Sequence, residues 1–437
     1  MQVSTEKIGS YEIEMTIEVD EKKFEEGIVH AYKNLAKQIN IPGFRKGKVP
    51  KKVIEARFGK DVFFEDAVDY IIPQVYPQAL DELDSAYEPV SRPEIEIVQL
   101  EEEKPFIFKA KIQIKPEVKL GEYKGLELVK KAIVVSEEDI QSDLAKLQER
   151  HAELVVVAED EAIIDGDLTV IDYQGSVDGE LFEGGTAEGH NLEIGSRTFI
   201  PGFEAQLIGL KKDEEKVIQV VFPEEYHAEH LAGKPADFKV KIREIKRKRL
   251  LDLDDEFAKD ISDFDTLAEL KEDIKQKIVK KKEDEAEGDL RVQAIKKAVE
   301  GAEFEVPPAM IDNQVEFMIR DFEYNLQTQG LSLDTFLKYT GADLDRIKED
   351  YRPGAEQAVQ ENLVLDELIK AEAIEVTEEE ITAELERLAG IYNQSVEMVR
   401  KMFTEGDNLE GVREGIKRNR IFAVLIDNAK ITEEKAE

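Results

Sequence analysis

Residues 12–50 read EIEMTIEVDEKKFEEGIVHAYKNLAKQINIPGFRKGKVP, and three patterns succeed one another within them. Ile13, Met15, Ile17 and Val19 alternate with Glu12, Glu14, Thr16 and Glu18, the period of two that marks a half-buried strand. Phe24, Ile28, Ala31, Leu35 and Ile39 then recur every three or four residues, which predicts an amphipathic helix with Asp20 as its N-cap. The helix stops at Ile41-Pro42-Gly43, and the chain then turns strongly basic. Between 44 and 60 stand Arg45, Lys46, Lys48, Lys51, Lys52, Arg57 and Lys60 against a single acid, Glu55. Gly47 and Pro50 make the first half of this island a loop tip between two helices. The second helical pattern covers about 61–83, through Val62, Phe63, Ala67, Val68, Ile71, Ile72, Val75 and Leu80. Two alternating runs come next, with Ile95 and Val98 apolar in the first and Phe106, Phe108, Ala110, Ile112 and Ile114 in the second. Strand, helices and strands over about 112 residues form an α+β module.

The whole chain has 437 residues, enough for about three domains of ordinary size. It has no cysteine, which excludes a disulfide scaffold, a thiolate metal site and a cysteine nucleophile. The formal charge is −38, and such a body repels phosphate, so any contact with nucleic acid must come from a local basic island. Acidity of this kind also keeps a protein soluble. The N-terminus has no apolar signal core, and the run 421–426 is six residues against the about 20 that span a bilayer. A cytoplasmic protein without a membrane partner is the expectation. No G-x-x-x-x-G-K-[ST] loop occurs, so no ATP cycle is expected.

Residues 116–149 read as a connector, with a helix opening at Ser136 as N-cap and Asp139 at the third position. Between about 163 and 246 glycines become dense, and short β-rich runs (168–173, 216–222, 237–245) stand among them with one short helical stretch at 203–210. That composition predicts a small, strongly curved sheet. From about 250 the pattern is nearly all helical. Leu267, Leu270, Ile274 and Ile278 form one stripe, and Pro307-Pro308 opens a second through Met310, Val315, Met318, Phe322 and Leu326. Thr377 and Glu380 form a capping box for a third, and Val412, Ile416, Ile421 and Leu425 mark the last.

The basic turn has two readings from its residues. It is either a solvated face that balances local acids, or a rigidly presented point that docks on an anionic surface with an apolar pocket for Phe44. The stretch Gly43-Phe44-Arg45-Lys46-Gly47-Lys48-Val49-Pro50 resembles the G-F-R-x-G-x-x-P ribosome-docking signature of the trigger factor family of bacterial chaperones. The resemblance implies that Gly43, Phe44, Arg45, Lys46, Gly47 and Pro50 form the docking loop. Within it, Phe44, Arg45 and Lys46 would meet the protein at the rim of the exit tunnel and the adjacent rRNA.

In the middle region, Val170-Ile171-Asp172-Tyr173-Gln174-Gly175, Leu181-Phe182-Glu183-Gly184-Gly185, Phe199-Ile200-Pro201-Gly202-Phe203 and Phe222-Pro223-Glu224-Glu225-Tyr226 occur in that order. This succession is similar to the FKBP-type peptidyl-prolyl isomerases over about 161–246. By matching position, Tyr173, Phe182, Ile200, Phe203, Tyr226 and Phe238 would line the prolyl pocket and catalyse isomerisation. Taken singly, each is equally readable as core of a small barrel. The chemistry needs no nucleophile, metal or cofactor. Twisting an amide out of resonance meets a barrier of about 18–20 kcal/mol, and a dry aromatic pocket favours the twisted form over the solvated planar one. Phe203 and Glu183 stand where many FKBPs place Trp and Asp. His227 and His230, three residues apart, are either a metal pair lacking a third ligand or members of an exposed loop.

The resemblance to trigger factors extends over the whole chain. It implies a multidomain α+β protein in four parts: a ribosome-binding α+β domain (1–115), a connector (116–149), an FKBP-like half-barrel with a short helix (150–247), and an all-α chaperone body with arms (248–437). Met310, Phe317, Met318, Phe322 and Tyr324, with Phe336 and Tyr339, are candidates to face unfolded clients, adaptable methionines and aromatics among them. Phe317 and Tyr324 fall off the main stripe and are the better candidates for exposure; ordinary core is the competing reading for the rest. The implied activity is that of an ATP-independent, ribosome-associated chaperone and peptidyl-prolyl isomerase that shields nascent and unfolded polypeptides and forms a homodimer off the ribosome. A non-catalytic scaffold whose FKBP-like module merely holds proline peptides is the alternative.

Overall fold

The computed structural model describes residues 1–101, 104–226, 228, 231–405 and 409–434, without the side chains of Glu183 and Glu405. The chain divides into two compact units, 1–130 with 288–434, and 131–287.

The first unit opens with β1 (Gln2–Lys7), β2 (Glu12–Val19), α1 (Glu21–Gln38), α2 (Lys51–Phe58), α3 (Phe64–Asp81), β3 (Glu94–Gln99) and β4 (Phe106–Gln113). The strands form an antiparallel sheet in the order β1-β2-β4-β3. Alternation decides which face is wet. Ile13, Met15, Ile17 and Val19 pair with Ile112, Ala110, Phe108 and Phe106, and all eight are buried with the apolar faces of α1 and α3. Asp20 accepts from the Lys23 N–H at 3.1 Å and caps α1 as the sequence predicts. The two helices approach closely at Gly27, where a Cβ would lie 2.5 Å from Ile71 Cδ1. In β3, Ile95, Ile97 and Val98 are exposed, because the strand lies at the sheet edge and its register slips between Ile97 and Gln99. Apolar alternation there marks a strand but not a core.

After β5 (Glu127–Lys130) the chain enters the second unit. Helix α4 (Glu137–Arg150) begins with the expected capping box between Ser136 and Asp139. Strands β6 (Glu153–Val156), β7 (Leu168–Val177), β8 (Glu180–Glu193), β9 (Glu215–Val221) and β10 (Pro235–Arg249) build one sheet. The 15-residue β10 is its spine: β7 lies along one side, β9 and β6 pair with successive parts of the other, and β8 extends the sheet beyond β7. Two expectations change. The glycine-dense stretch holds a 14-residue strand, β8, that its composition concealed. The helical stretch at 203–210 shrinks to one 3-10 turn, Glu204–Gln206, bracketed by Gly202 and Gly209 at φ +87° and +90°, where a right-handed helix cannot continue. Helix α5 (Asp255–Ile261) and the start of α6 (Leu267–Gly301) pack on α4 through Ile140, Leu144, Phe257, Leu270 and Ile274.

Back in the first unit, the chain continues through α7 (Pro308–Thr328), α8 (Leu333–Thr340), α9 (Leu344–Ala371), α10 (Glu378–Tyr392), α11 (Val396–Glu405) and α12 (Leu409–Asp427). Leu290, Ala294, Val364, Leu368, Ile421 and Leu425 form the core of this body, and Leu128 of β5 is buried with them. The reading of this region as purely helical needs one correction. A last strand, β11 (Lys430–Glu433), pairs in parallel with β5, Ile431 opposite Leu128. Lys115 Nζ lies 2.7 Å from Asp366 Oδ2, and Gln113 Oε1 accepts from the Ala309 N–H at 3.0 Å, fastening the sheet module to the helices. No helix of the described residues is long and apolar enough to cross a membrane.

The α1–α3 approach yields a test. Gly27→Ala gains helix propensity but drives a methyl into Ile71, so we expect a net loss of about 1–3 kcal/mol in denaturant unfolding, only partly recovered in the Gly27→Ala/Ile71→Val double variant, which removes Cδ1 but keeps Cγ1.

Candidate functional site

The basic turn is pinned at both feet. Ile41 before it and Val49 after it are buried in the core of the sheet module. The Tyr32 hydroxyl donates to the Val49 carbonyl at 2.9 Å, and the Gly47 N–H to the Ala36 carbonyl at 2.9 Å. Gly43 and Gly47, at φ +92° and +80°, let the backbone reverse. Between the feet, Phe44 is 40% exposed, and Arg45, Lys46 and Lys48 are exposed as well. Pro50 closes the turn as N-cap of α2. The six residues predicted from the sequence therefore lie on one fixed protrusion.

A second stretch, 239–249, holds Lys239, Lys241, Arg243, Lys246, Arg247, Lys248 and Arg249 against one acid, as basic as the turn, and sequence reasoning passed over it. The structure separates the two electrostatically. Each of these seven cations lies on a carboxylate. Lys239 and Lys241 reach Glu215, Arg243 reaches Asp172, and Lys246 reaches Glu244; Arg247 grips the buried Asp167, Lys248 reaches Glu193, and Arg249 reaches Glu153. Arg45, Lys46 and Lys48 have no carboxylate partner among the described residues. A paired cation is neutralised at short range, whereas an unpaired one attracts a polyanion.

The aromatic cleft of the second unit has a volume of about 340 Å³. Tyr173 comes from β7, Phe182 from β8 and Phe238 from β10; Ile200 and Tyr226 come from the loops beside them. Five of the six predicted residues line it. The sixth, Phe203, is fully buried, with its ring 5.3 Å from Phe238 and 4.5 Å from Phe199. It supports the aromatic walls from behind. Phe199 and Phe222 line the cleft and were missed, although both stand in the quoted motifs, next to Ile200 and Pro223. The Tyr173 hydroxyl and the Ile200 N–H have no hydrogen-bond partner among the described residues. Burial, and then Tyr226, push the Tyr173 phenol above its usual range, so it stays a neutral donor. An apolar box with two available donors can hold a proline ring and receive a displaced carbonyl.

Glycines make room for the rings. A Cβ on Gly175 would lie 2.6 Å from Phe238 Cε1 and 2.8 Å from Phe182 Cζ. The pair His227 and His230 falls outside the described residues, among which no group of three or more His, Asp or Glu side chains is arranged for a metal.

On the helical body, Phe317, Tyr324 and Tyr339 are 57%, 66% and 84% exposed, whereas Met310, Met318, Phe322 and Phe336 are half-buried. Phe322 packs edge-on against Phe336 at 5.3 Å. Ile391, Tyr392, Met398 and Met402 are exposed at the end of α10 and along α11, a patch the sequence reading did not single out.

Family models of the bacterial trigger factor protein match residues 1–147 and, for its C-terminus, 266–427; that of the FKBP-type peptidyl-prolyl cis-trans isomerase matches 159–243. The trigger factor of Anoxybacillus flavithermus is 48% identical over 432 residues, 99% of this chain and 100% of the relative. The chain belongs to the trigger factor family. The trigger factor of Bacillus subtilis is 47% identical over 429 residues, 98% of this chain and 100% of the relative. A solved structure of the trigger factor chaperone shares the fold, with a TM-score of 0.52 and 20% identity, covering 98% of this chain and 99% of that one. As a member of the family, the chain is a ribosome-associated chaperone with an FKBP-type peptidyl-prolyl isomerase domain, and the ribosome and nascent chains are its partners.

Gly175→Ala should press on Phe182 and Phe238 and narrow the cleft. We expect kcat/KM for a proline tetrapeptide to fall about tenfold, with the far-UV circular dichroism of the sheet retained.

Proposed function

We propose that the turn at 43–50 docks the chain on the ribosome, and that the aromatic cleft isomerises X-Pro bonds in the polypeptide emerging there. The observation that carries the docking reading is the exposed Phe44 beside cations that no carboxylate among the described residues neutralises, on a turn pinned at both ends. Phe44 supplies a desolvated anchor; Arg45 and Lys46 supply the salt-sensitive attraction to rRNA phosphate. In this reading residues 1–115 bind the ribosome, 116–149 connect, 150–247 isomerise and 248–437 hold clients in the cytoplasm. No ATP cycle is needed, since weak and fast client contacts suffice for release. The exposed Phe317 and Tyr324 offer the client surface, with Met310, Met318 and Phe322 adjusting beneath them. Off the ribosome, the same apolar surface is covered in a homodimer, which sedimentation across a concentration series tests.

Ribosome cosedimentation at two salt concentrations tests the docking reading. The Phe44→Ala/Arg45→Ala/Lys46→Ala variant is expected to lose binding while keeping its unfolding midpoint. Lys239→Gln/Lys241→Gln, which removes cations already paired, is expected to bind as wild type does. Equal binding by wild type and the triple variant would remove the assignment. For the cleft, Phe238→Ala is expected to abolish proline-tetrapeptide isomerisation. A flat rate in the wild type with retained peptide binding would favour the non-catalytic scaffold instead.

A further inference from the structure

Beside the cleft, segment 195–199 adopts a backbone that most residues avoid. Gly195 has φ +94°, and Arg197, a non-glycine, has φ +59°. A Cβ at Gly195 would collide with the Asp165 carboxylate. The segment lies outside every strand and helix, so its N–H groups need acceptors from elsewhere. The Ser196 N–H donates to the Glu193 carbonyl and the Thr198 N–H to the Ser196 hydroxyl, and one side chain supplies the other three. Glu204, on the 3-10 turn, is only 7% exposed, an unusual position for a carboxylate. Its Oε2 accepts from the Gly195 N–H at 2.8 Å and the Arg197 N–H at 3.1 Å. Its Oε1 accepts from the Phe199 N–H at 3.2 Å and, more weakly, the Ser196 hydroxyl at 3.4 Å. On one side of this knot, Phe199 and Ile200 line the cleft; on the other, Phe203 is the buried support behind it.

We propose that Glu204 is a positioning residue for isomerisation, its buried carboxylate holding segment 195–199 so that Phe199 and Ile200 are set in place before a proline arrives. The proposal rests on the reading of the aromatic cleft as the prolyl site. The carboxylate touches no substrate and moves no proton. It shifts the ordering of the segment from the binding step to the folding of the domain, which lowers the free energy that binding must supply. Gln at 204 would keep the volume but turn an amide N–H toward backbone N–H groups, leaving donors without acceptors. Asp would keep the charge but fall one methylene short.

The test uses the full-length protein, with isomerisation kinetics on a proline tetrapeptide and residue-level amide hydrogen exchange. For Glu204→Gln we expect KM to rise about tenfold with kcat changed less, because a loosened segment must be ordered by each peptide. Exchange should accelerate at Gly195, Arg197 and Phe199 while β7 and β10 stay protected; Glu204→Asp should lie between wild type and Gln. Wild-type kcat/KM in Glu204→Gln despite faster exchange would overturn the proposal, and so would a loss of protection spread evenly over the sheet. If the Gln variant does not fold, Glu204→Asp decides: loosened amides with unchanged kcat/KM overturn the proposal, and a KM rise that tracks their exchange supports it. Phe238→Ala separates the two levels. An inactive Phe238→Ala beside an unaffected Glu204→Gln sinks the positioning role alone, whereas a fully active Phe238→Ala sinks the cleft reading and the proposal with it.

Discussion

The burial of Ile41 and Val49 on either side of the basic turn is the constraint on which the proposed docking site depends. An acidic chain attracts a polyanion only through a spot where its cations are concentrated and fixed. A mobile basic tail would lose entropy on every encounter, and a flat basic face would be neutralised by neighbouring carboxylates. The two apolar feet avoid both outcomes. They belong to the same core that holds the sheet on α1 and α3, so the geometry of the turn and the stability of the domain share one set of contacts.

The contrast between the turn and β10 shows how little a charge count says by itself. The stretches 44–60 and 239–249 each carry seven cations and one acid. In a strand, alternate side chains project to opposite faces beside the strands on either side, so acids of neighbouring elements come within reach of most of the cations, and Lys246 meets Glu244 of its own strand. On the turn itself, Arg45, Lys46 and Lys48 have no such neighbours among the described residues, whereas Lys51, on α2, pairs with Glu55. The same composition therefore produces a network that staples a sheet in one place and an open positive point in the other.

The aromatic cleft, the proposed isomerase site, depends on a different constraint of shape. Small residues at Gly175 and Gly185 let Phe182 lie close over the sheet, and a Cβ at either would press into its ring. Phe203 is buried so that Phe199 and Phe238 can stand, and the Glu204 carboxylate fixes the segment that carries the outer wall. No acid–base pair is required, because the reaction breaks no bond. Catalysis is selective accommodation of a twisted amide in a dry site.

Much of this was legible in the sequence. The strand at 12–19, the helix after Asp20 and the capping boxes at Ser136 and Thr377 arise from local periodicity and capping chemistry, which depend on neighbours a few residues away. The exposure of Phe317 and Tyr324 also came from local period, since both lie off the apolar stripe of α7. Tertiary structure alone decided the rest. Strand β8 was hidden by its glycines, and β11 was hidden because it pairs with β5, which is distant in sequence. The apolar residues of β3 were left exposed by their place at the sheet edge, which no local pattern specifies. The neutralisation of β10, the placing of Phe203 behind the cleft and the gathering of four donors on Glu204 likewise arise from contacts that no local period encodes. Propensity and period are local, so the amino-acid order alone determines which elements form; which charges cancel, and which aromatic is wall or support, is set by long-range packing.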